Sequence, residues 1–271
     1  MSKYGAHLRS AYVFVRTAYI FARELGIDPR KTISNSRFIW RLFTDYRKFK
    51  RAWQLENEQK RMPLAFSFPV LQDYAGSAGV YSGHYFHMDL WTAKRIYAAK
   101  PERHVDVGSR IDGFISHLLV FCNVDVIDIR PIMSQIPGLS FIQADAMEMS
   151  HFPDGSVHSL SCLHAAEHFG LGRYGDPIDP QACWKFIASL GRVLARGGRL
   201  YFAVPVGRER IEFNGHRVFN PMTLVRFFES HELTIVTGVA VDDEGNLVEQ
   251  PDWEKLARSE YACGIYELTK R

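Results

Sequence analysis

The sequence predicts an α/β fold with a parallel central sheet, preceded by helices. From Arg103 onward, short apolar runs alternate with stretches of helical periodicity, which is typical of β-α-β units. Before Arg103, apolar residues recur at spacings of three and four with Arg and Lys between them, which indicates amphipathic helices. The chain has 271 residues, of which 46% are hydrophobic, and this suffices for a packed core and excludes a disordered or low-complexity protein.

The N-terminal part is predicted to be a basic helical extension. Its helices cover residues 8–22 and 38–53 and are separated by Gly26-Ile27-Asp28-Pro29. Residues 62–83 are rich in proline and glycine and predict a loop. A further helix is expected over residues 87–99, before Pro101.

Seven strands and three helices are expected in the remainder, with no internal repeat. The strands cover residues 104–107, 124–129, 139–144, 157–163, 199–204, 233–241 and 261–268, and the helices cover 111–121, 180–194 and 221–229. Ligands of such open sheets bind beyond the carboxyl ends of the strands. We therefore expect the functional residues directly after the strands.

Charge is distributed unevenly along the chain. Residues 1–61 carry fourteen Lys/Arg and five Asp/Glu, a net charge of +9, whereas the remainder has nineteen and twenty-five, a net of −6. A basic segment of this kind either docks on an anionic partner or is a solvated helical face. An anionic membrane surface is one candidate partner.

No apolar run approaches the roughly 20 residues that span a bilayer. The best stretch, residues 11–22, is interrupted by Arg16 and is a poor signal peptide. Cys122, Cys162, Cys183 and Cys263 form no CxxC pair, which favours reduced thiols over disulfides or a zinc site. We expect a cytoplasmic protein, peripheral to the membrane at most.

Strand ends carry the chemistry-bearing residues. The first strand runs into Asp106-Val107-Gly108-Ser109-Arg110-Ile111-Asp112-Gly113, where a glycine permits a tight turn and close approach of a ligand to the backbone. The second strand ends near Asp128, about twenty residues on, where an acidic residue commonly holds the hydroxyls of a ribose. A strand-end turn or helix cap is the alternative role for Asp128.

Two later blocks carry a family resemblance. They are FIQADAMEMSHFPDGSVHSLSCLHAAEHF and RVLARGGRLYFAVPV. At this spacing after the glycine turn, they resemble the class I S-adenosylmethionine-dependent methyltransferases over about residues 100–271. HVDVGSRIDGF and EHFGLGRYGDPIDP further resemble a subgroup often associated with glycan biosynthesis.

The resemblance implies a Rossmann-like, seven-stranded, mostly parallel sheet with an antiparallel last strand. We expect this domain to cover residues 96–271 and to follow a basic helical extension or lid over residues 1–95. The resemblance also implies S-adenosylmethionine as cofactor. The residues predicted to bind the cofactor lie in the first turn and at the next three strand ends: Asp106, Gly108, Ser109, Arg110, Gly113, Asp128, Ile129, Asp145, Ala146 and His164. Arg110 departs from the family, because it replaces the usual middle glycine, and His158 replaces an acidic residue.

Methyl transfer needs alignment of donor and acceptor and a base for a protonated acceptor. The candidate bases are His168, Glu167, His164 and His216, although a structural role for a histidine is equally compatible with the sequence. Arg173, Tyr174, His216 and Arg217, in two loops after strands, are candidate acceptor contacts. Tyr85 and His87 are candidates for closing the site.

A metal is not expected, because His84 and His87 lack a clear third ligand. The preferred function is methyl transfer to an oxygen or nitrogen of a small molecule or glycan precursor. A nucleic-acid methyltransferase is the alternative, but the Asn/Asp-Pro-Pro-aromatic motif of amino-methylating enzymes is missing. An inactive binding protein of the same fold and, with less support, a nucleotide-dependent dehydrogenase are the others.

Overall fold

The computed structural model describes residues 3–76, 79, 83–133 and 135–271. The chain divides into two compact units, Met1–Val80 and Tyr81–Arg271. The predicted domain boundary between residues 95 and 96 lies inside the first helix of the second unit.

The first unit is helical, as predicted. It contains α1 (Lys3–Glu24), α2 (Pro29–Ser36) and α3 (Ile39–Leu55), and short 3-10 turns at Glu58–Lys60 and Gln72–Ala75. The sequence pattern does not predict α2, which begins where the Asp28 carboxylate accepts a hydrogen bond from the Lys31 amide at 3.0 Å. The predicted loop over residues 62–83 lies partly outside the described residues.

The second unit alternates helices and strands. Its helices are α4 (His84–Ala99), α5 (Ser116–Leu118, continuing a π-helical turn at Ile111–Ile115), α6 (Ala182–Val193), α7 (Pro221–Ser230) and α8 (Trp253–Leu256), with a 3-10 turn at Ala166–His168. Its strands are β1 (Arg103–Val107), β2 (Asn123–Asp128), β3 (Leu139–Gln143), β4 (Val157–Leu163), β5 (Leu194–Val206), β6 (Arg210–Glu212), β7 (His216–Val218), β8 (Leu233–Val241), β9 (Leu247–Val248) and β10 (Ala262–Lys270).

The main sheet has the strand order β3-β2-β1-β4-β5-β10-β8-β9. Strands β1 to β5 are parallel, and β10 inserts antiparallel between β5 and β8. The predicted Rossmann-like sheet with an antiparallel last strand is thus confirmed, as are the N-terminal helices. The two-residue strand β9 adds an eighth member, and β6 and β7 form a separate hairpin that the sequence pattern does not predict.

Alternating side chains of the buried strands pack on opposite faces of the sheet, which is the period-two pattern of a strand covered on both sides. In β5, Leu200, Phe202 and Val204 belong to one hydrophobic cluster with α6, whereas Tyr201 and Ala203 belong to another with α4. The second unit therefore has three layers, helix, sheet and helix.

The strand order reverses between β1 and β4, so that the chain leaves these neighbouring strands in opposite directions. Such a switch point opens a crevice at the carboxyl ends of the two strands. Among the residues that the structure describes, no helix is both long and apolar enough to cross a bilayer.

Candidate functional site

The turn after β1 is fixed from within the protein. Gly108 has φ +74°, a conformation that favours glycine, and a Cβ at this position would lie 2.9 Å from Cβ of Ala165. The fully buried Asp106 accepts hydrogen bonds from the Ser109 amide at 3.0 Å and the Ser109 hydroxyl at 2.8 Å. Burial raises the pKa of Asp106 to about 6. Asp106 and Ser109 therefore hold the shape of the turn.

A cavity lies at the carboxyl ends of β1 to β4, and we call it the first cavity. Six of the predicted cofactor residues line it: Gly108, Asp128, Ile129, Asp145, Ala146 and His164. Val107, Ile127, Ala144 and Phe169 add apolar surface. The structure thus brings together, in one cavity, predicted residues that follow four different strands.

The carboxylates of this cavity are oriented by neighbouring groups. Asp128 accepts hydrogen bonds from the Arg130 amide and Nε, both at 2.9 Å, and from Arg130 Nη2 at 2.6 Å. The Arg130 guanidinium also lies 4.6 Å from the ring centroid of Tyr174. Asp145 accepts from the Met147 amide at 2.9 Å, as in an Asx turn. Arg130 is a site residue that the sequence prediction missed, although its place two residues after a strand-end aspartate was visible.

A second, larger cavity adjoins the first. Residues that line both cavities are Gly108, Arg130, His164, His168 and Tyr174. Because five residues are shared, the two cavities form adjacent parts of one cleft at the switch point of the sheet.

His168 lies at the junction of the two cavities. Its Nδ1 lies 2.7 Å from the Gly215 carbonyl oxygen, and because a carbonyl can only accept, Nδ1 carries the proton and Nε2 keeps its lone pair. Burial lowers the pKa of His168 below its usual value, although Glu167 acts in the opposite direction. A neutral imidazole with a free acceptor nitrogen can remove a proton from a bound ligand.

His164 belongs to a buried network next to this junction. Its Nδ1 lies 2.6 Å from Oε1 of Glu167, and its Nε2 lies 3.2 Å from Nδ1 of His84. The other nitrogen of His84 lies 3.1 Å from the Tyr261 carbonyl oxygen. Burial alone would lower the pKa of His164, but Cys263 and Glu167 raise it well above its usual value.

The same network shifts its neighbours in the opposite sense. Burial, together with His164, lowers the pKa of His84 to about 4. Burial would raise the pKa of Glu167, but His164 holds it below the usual range. Oε2 of Glu167 is buried and has no hydrogen-bond partner among the described residues.

The second cavity gathers most of the predicted acceptor residues. Tyr85, Arg173, Tyr174 and His216 line it, as do Ser109, Arg110 and Glu167. Arg173 Nη1 donates to the Gly215 carbonyl at 3.0 Å, which ties the loop after β4 to the β6–β7 hairpin.

Four of the predicted site residues line neither cavity. Arg217 is 5% exposed, lines neither cavity, and donates to the backbone carbonyls of Glu167 and Phe169, because its side chain points into the loop after β4. His87 packs edge-on to Phe86 and also lines neither cavity. Gly113 is next to Asp89 in a neighbouring depression, and Asp106 lies beneath the turn.

Three further site residues have no local sequence signal. His84 begins α4, Tyr261 directly precedes β10, and Cys263 is the second residue of β10, far along the chain from the β4 end. The sequence singled out His84 only as an incomplete metal ligand. The fold brings these residues together with His164, which could be predicted only from the three-dimensional arrangement.

Comparisons with known proteins give a family match over part of the chain. The family model described as "Caenorhabditis protein of unknown function, DUF268" matches residues 122–248. No curated protein matches the chain.

Several solved structures share the fold. The 4+2 cyclase SpnF is 15% identical, with a TM-score of 0.51, and the match covers 73% of this chain and 90% of that protein. The N-methyltransferase NodS from Bradyrhizobium japonicum WM9, in complex with S-adenosyl-L-homocysteine, is 14% identical with a TM-score of 0.45, covering 69% of this chain and 88% of its own. An S-adenosylmethionine-dependent methyltransferase from Clostridium acetobutylicum ATCC 824 is 12% identical with a TM-score of 0.46, covering 69% and 92%.

The similar structures therefore include S-adenosylmethionine-dependent methyltransferases. At identities this low the likeness concerns the fold alone, and it agrees with the strand order of the main sheet.

Proposed function

We propose that this chain transfers a methyl group from S-adenosylmethionine to an oxygen or nitrogen of a small-molecule or glycan-precursor acceptor. The observation that carries the proposal is the cleft: a cavity of strand-end carboxylates and apolar residues, joined at His168 to a second cavity. A cofactor and an acceptor can occupy adjacent cavities of this kind with their reacting atoms in line.

The first cavity fits the cofactor by the chemistry of its lining. Asp128 at the end of β2 offers carboxylate oxygens to the two hydroxyls of a ribose, provided that its bonds to Arg130 yield. Ile129 and Ala146 offer apolar contacts to adenine, and Asp145 offers an acceptor to the adenine amino group. The Gly108 turn brings backbone close to the methionine part.

His168 supplies the base. When bound, S-adenosylmethionine provides a methyl group already activated by a positive sulfonium. His168 Nε2 takes the proton of the acceptor O–H or N–H while the acceptor lone pair forms the new bond to the methyl carbon. With its methyl group transferred, the cofactor would be left as a neutral thioether, because the electrons of the carbon–sulfur bond would remain on sulfur.

The second cavity supports a polar acceptor with sugar-like character. Arg173 and His216 offer hydrogen-bond donors, and Tyr174 and Tyr85 offer aromatic faces on which a sugar ring can stack. The association with glycan biosynthesis rests on this lining together with the sequence resemblance.

Calorimetry with S-adenosylhomocysteine tests the proposal. We expect the wild type to bind, and Asp128→Ala to bind about 100-fold more weakly, because two hydrogen bonds to a charged group are lost. Asp125→Ala is a matched control: Asp125 is in the same strand, pairs with Arg103, and its side chain is 13% exposed, as is that of Asp128. Absence of binding by the wild type, or equal losses in both variants, would contradict the proposed cofactor site.

We further propose that the first unit contacts an anionic membrane surface. Its helices expose large aromatic side chains, with Phe14 74%, Phe21 67%, Trp40 73% and Phe49 59% exposed, beside a net charge of +9 over residues 1–61. Amphipathic helices with exposed aromatic residues and basic residues bind at such interfaces. Three basic residues of α3 are exposed as well: Lys48, Lys50 and Arg51.

Vesicle sedimentation tests this contact with equal mixtures of phosphatidylserine and phosphatidylcholine against phosphatidylcholine alone. The wild type should bind only the anionic vesicles, and the triple variant Lys48→Glu, Lys50→Glu, Arg51→Glu should bind neither. Equal binding of the wild type and this variant would exclude the contact.

A further inference from the structure

Three potential metal ligands from distant parts of the second unit meet beside the cleft. They are His84 at the start of α4, His164 directly after β4, and Cys263 in β10. One donor atom from each, the two ring nitrogens and Sγ, lie within 4.8 Å of one another. Cys263 is fully buried, His164 is 8% exposed and His84 is half-buried.

The distances suit a tetrahedral ion. Zinc binds histidine nitrogen at about 2.0–2.1 Å and thiolate at about 2.3 Å, so that two such nitrogens lie about 3.3 Å apart in a tetrahedral site. Nδ1 of His84 and Nε2 of His164 lie 3.2 Å apart. Cys263 Sγ lies within 4.8 Å of both nitrogens.

The nitrogens that face away from this point are held as they are in metal sites. Nδ1 of His164 lies 2.6 Å from the Glu167 carboxylate, and Nε2 of His84 lies 3.1 Å from the Tyr261 carbonyl oxygen. Metal-binding histidines nearly always donate their second N–H to a carboxylate or a backbone carbonyl, which sets the tautomer and ring orientation. Here both histidines have such a partner. The other ring nitrogen of each, His84 Nδ1 and His164 Nε2, faces the cluster and is the one that would bind the ion.

From this geometry we propose that the chain binds Zn²⁺ through His84 Nδ1, His164 Nε2 and Cys263 Sγ. Imidazole and thiolate ligands together favour zinc over calcium or magnesium, which prefer oxygen. The ion's two positive charges balance the Cys263 thiolate and the buried Glu167 carboxylate, one oxygen of which otherwise has no hydrogen-bond partner among the described residues.

Three protein ligands leave the fourth position for a water molecule or an acceptor atom. His164 and Tyr261 both line the second cavity, so the ion would border the space proposed for the acceptor. A zinc ion lowers the pKa of a bound hydroxyl, thiol or water. This use of the ion rests on the proposed methyl transfer, whereas binding of the ion does not.

Metal titration tests the site without any assay of activity. The purified 271-residue chain is stripped with a chelator and titrated with Zn²⁺ against a chromophoric competitor. We expect one equivalent to bind, and Cys263→Ser and His84→Ala to lower the affinity by more than about 100-fold, because loss of even an outer partner costs 10–100-fold. Glu167→Gln should lower it by about 10–100-fold.

Cys183→Ser is the matched control, since Cys183 is also fully buried and unpaired but lies in α6, outside the cluster. Titration with Co²⁺ should give a thiolate-to-cobalt charge-transfer absorption in the wild type and Cys183→Ser, and none in Cys263→Ser. Should Cys263→Ser fail to fold, the half-buried His84→Ala variant gives the same comparison in affinity.

The proposal is overturned if the wild type binds no stoichiometric Zn²⁺, or if His84→Ala and Cys263→Ser bind it as tightly as Cys183→Ser. Binding of S-adenosylhomocysteine is measured separately on the zinc-free chain. A wild type that binds S-adenosylhomocysteine but no Zn²⁺ would overturn the metal site alone. A wild type that binds Zn²⁺ but no S-adenosylhomocysteine would overturn the proposed methyl transfer alone.

Discussion

The two sides of the cleft are built differently. On the β1–β3 side, the wall consists of turns and carboxylates that directly follow strands, such as Gly108, Asp128 and Asp145, and these are held by backbone amides. On the side of α4 and β10, the wall contains buried side chains that contact one another. His84 contacts His164, and His164 contacts Glu167.

This difference separates binding from chemistry. A wall of turns and strand ends provides shape and hydrogen bonds to a ligand, whereas linked buried imidazole and carboxylate groups fix protons and charge. Substitutions on the first side should therefore change affinity, and substitutions at the junction or on the second side should change the rate or metal binding.

The largest effect on the rate is expected at His168. His168→Asn keeps a donor for the Gly215 carbonyl but removes the basic nitrogen, so kcat should fall by about 10²–10⁴-fold while affinity for S-adenosylhomocysteine stays unchanged. Turnover and calorimetry on the same preparation check this. His158→Asn, at an exposed position of β4, is the control. A parallel loss of cofactor affinity would show that His168 is structural.

The pH profile gives an independent check of the same residue. Burial lowers the pKa of His168 from 6.5, so its basic form persists below that pH and kcat/KM should fall only as the pH drops further. The groups that act on it are Glu167 and the Gly215 carbonyl, which raise the pKa, and Arg173, His164 and His216, which oppose protonation. An acid limb at or above pH 6.5 would contradict this assignment.

A smaller effect is expected at the Gly108 turn. Gly108→Ala and Gly197→Ala both place a side chain at positive φ, +74° and +72°, but only at Gly108 does the new Cβ meet another atom, Cβ of Ala165 at 2.9 Å. Gly197→Ala should lower the free energy of unfolding by about 1 kcal/mol, and Gly108→Ala by about 2 kcal/mol or more. Urea denaturation measures both.

Only the Gly108 variant should also lose cofactor affinity, because Gly197 lies at an exposed position near the start of β5 and lines neither cavity. Equal stability losses with unchanged affinity in both variants would indicate that the turn after β1 does not shape the first cavity.

The smallest effect is expected at Asp145. Asp145→Asn retains an oxygen for the Met147 amide but replaces the second oxygen with an amide donor, which cannot accept from an adenine amino group. Loss of one such bond should weaken S-adenosylhomocysteine binding about tenfold by calorimetry, with kcat at saturation unchanged. Asp125→Asn in β2 is the control, and an unchanged affinity for Asp145→Asn would remove Asp145 from the adenine contacts.

The same contrast explains what the sequence could predict. Strand alternation and the residues after each strand are local patterns, and they predict Gly108, Asp128, Asp145 and His168, all of which line the first cavity. The His84–His164–Cys263 cluster depends on the order of strands β4, β5 and β10 across the sheet, which no spacing along the chain reveals. At Arg217 the local pattern misleads. Its loop position predicts an acceptor contact, whereas its guanidinium is buried and donates to backbone carbonyls.

The most direct test of the cleft is a crystal structure of the chain grown with S-adenosylhomocysteine. We expect the ribose hydroxyls on Asp128, the adenine between Ile129 and Ala146 with its amino group on Asp145, and the thioether sulfur directed toward His168 and the second cavity. Electron density for the ligand at another place on the chain, or with its sulfur turned away from His168, would contradict the proposed arrangement of cofactor and acceptor.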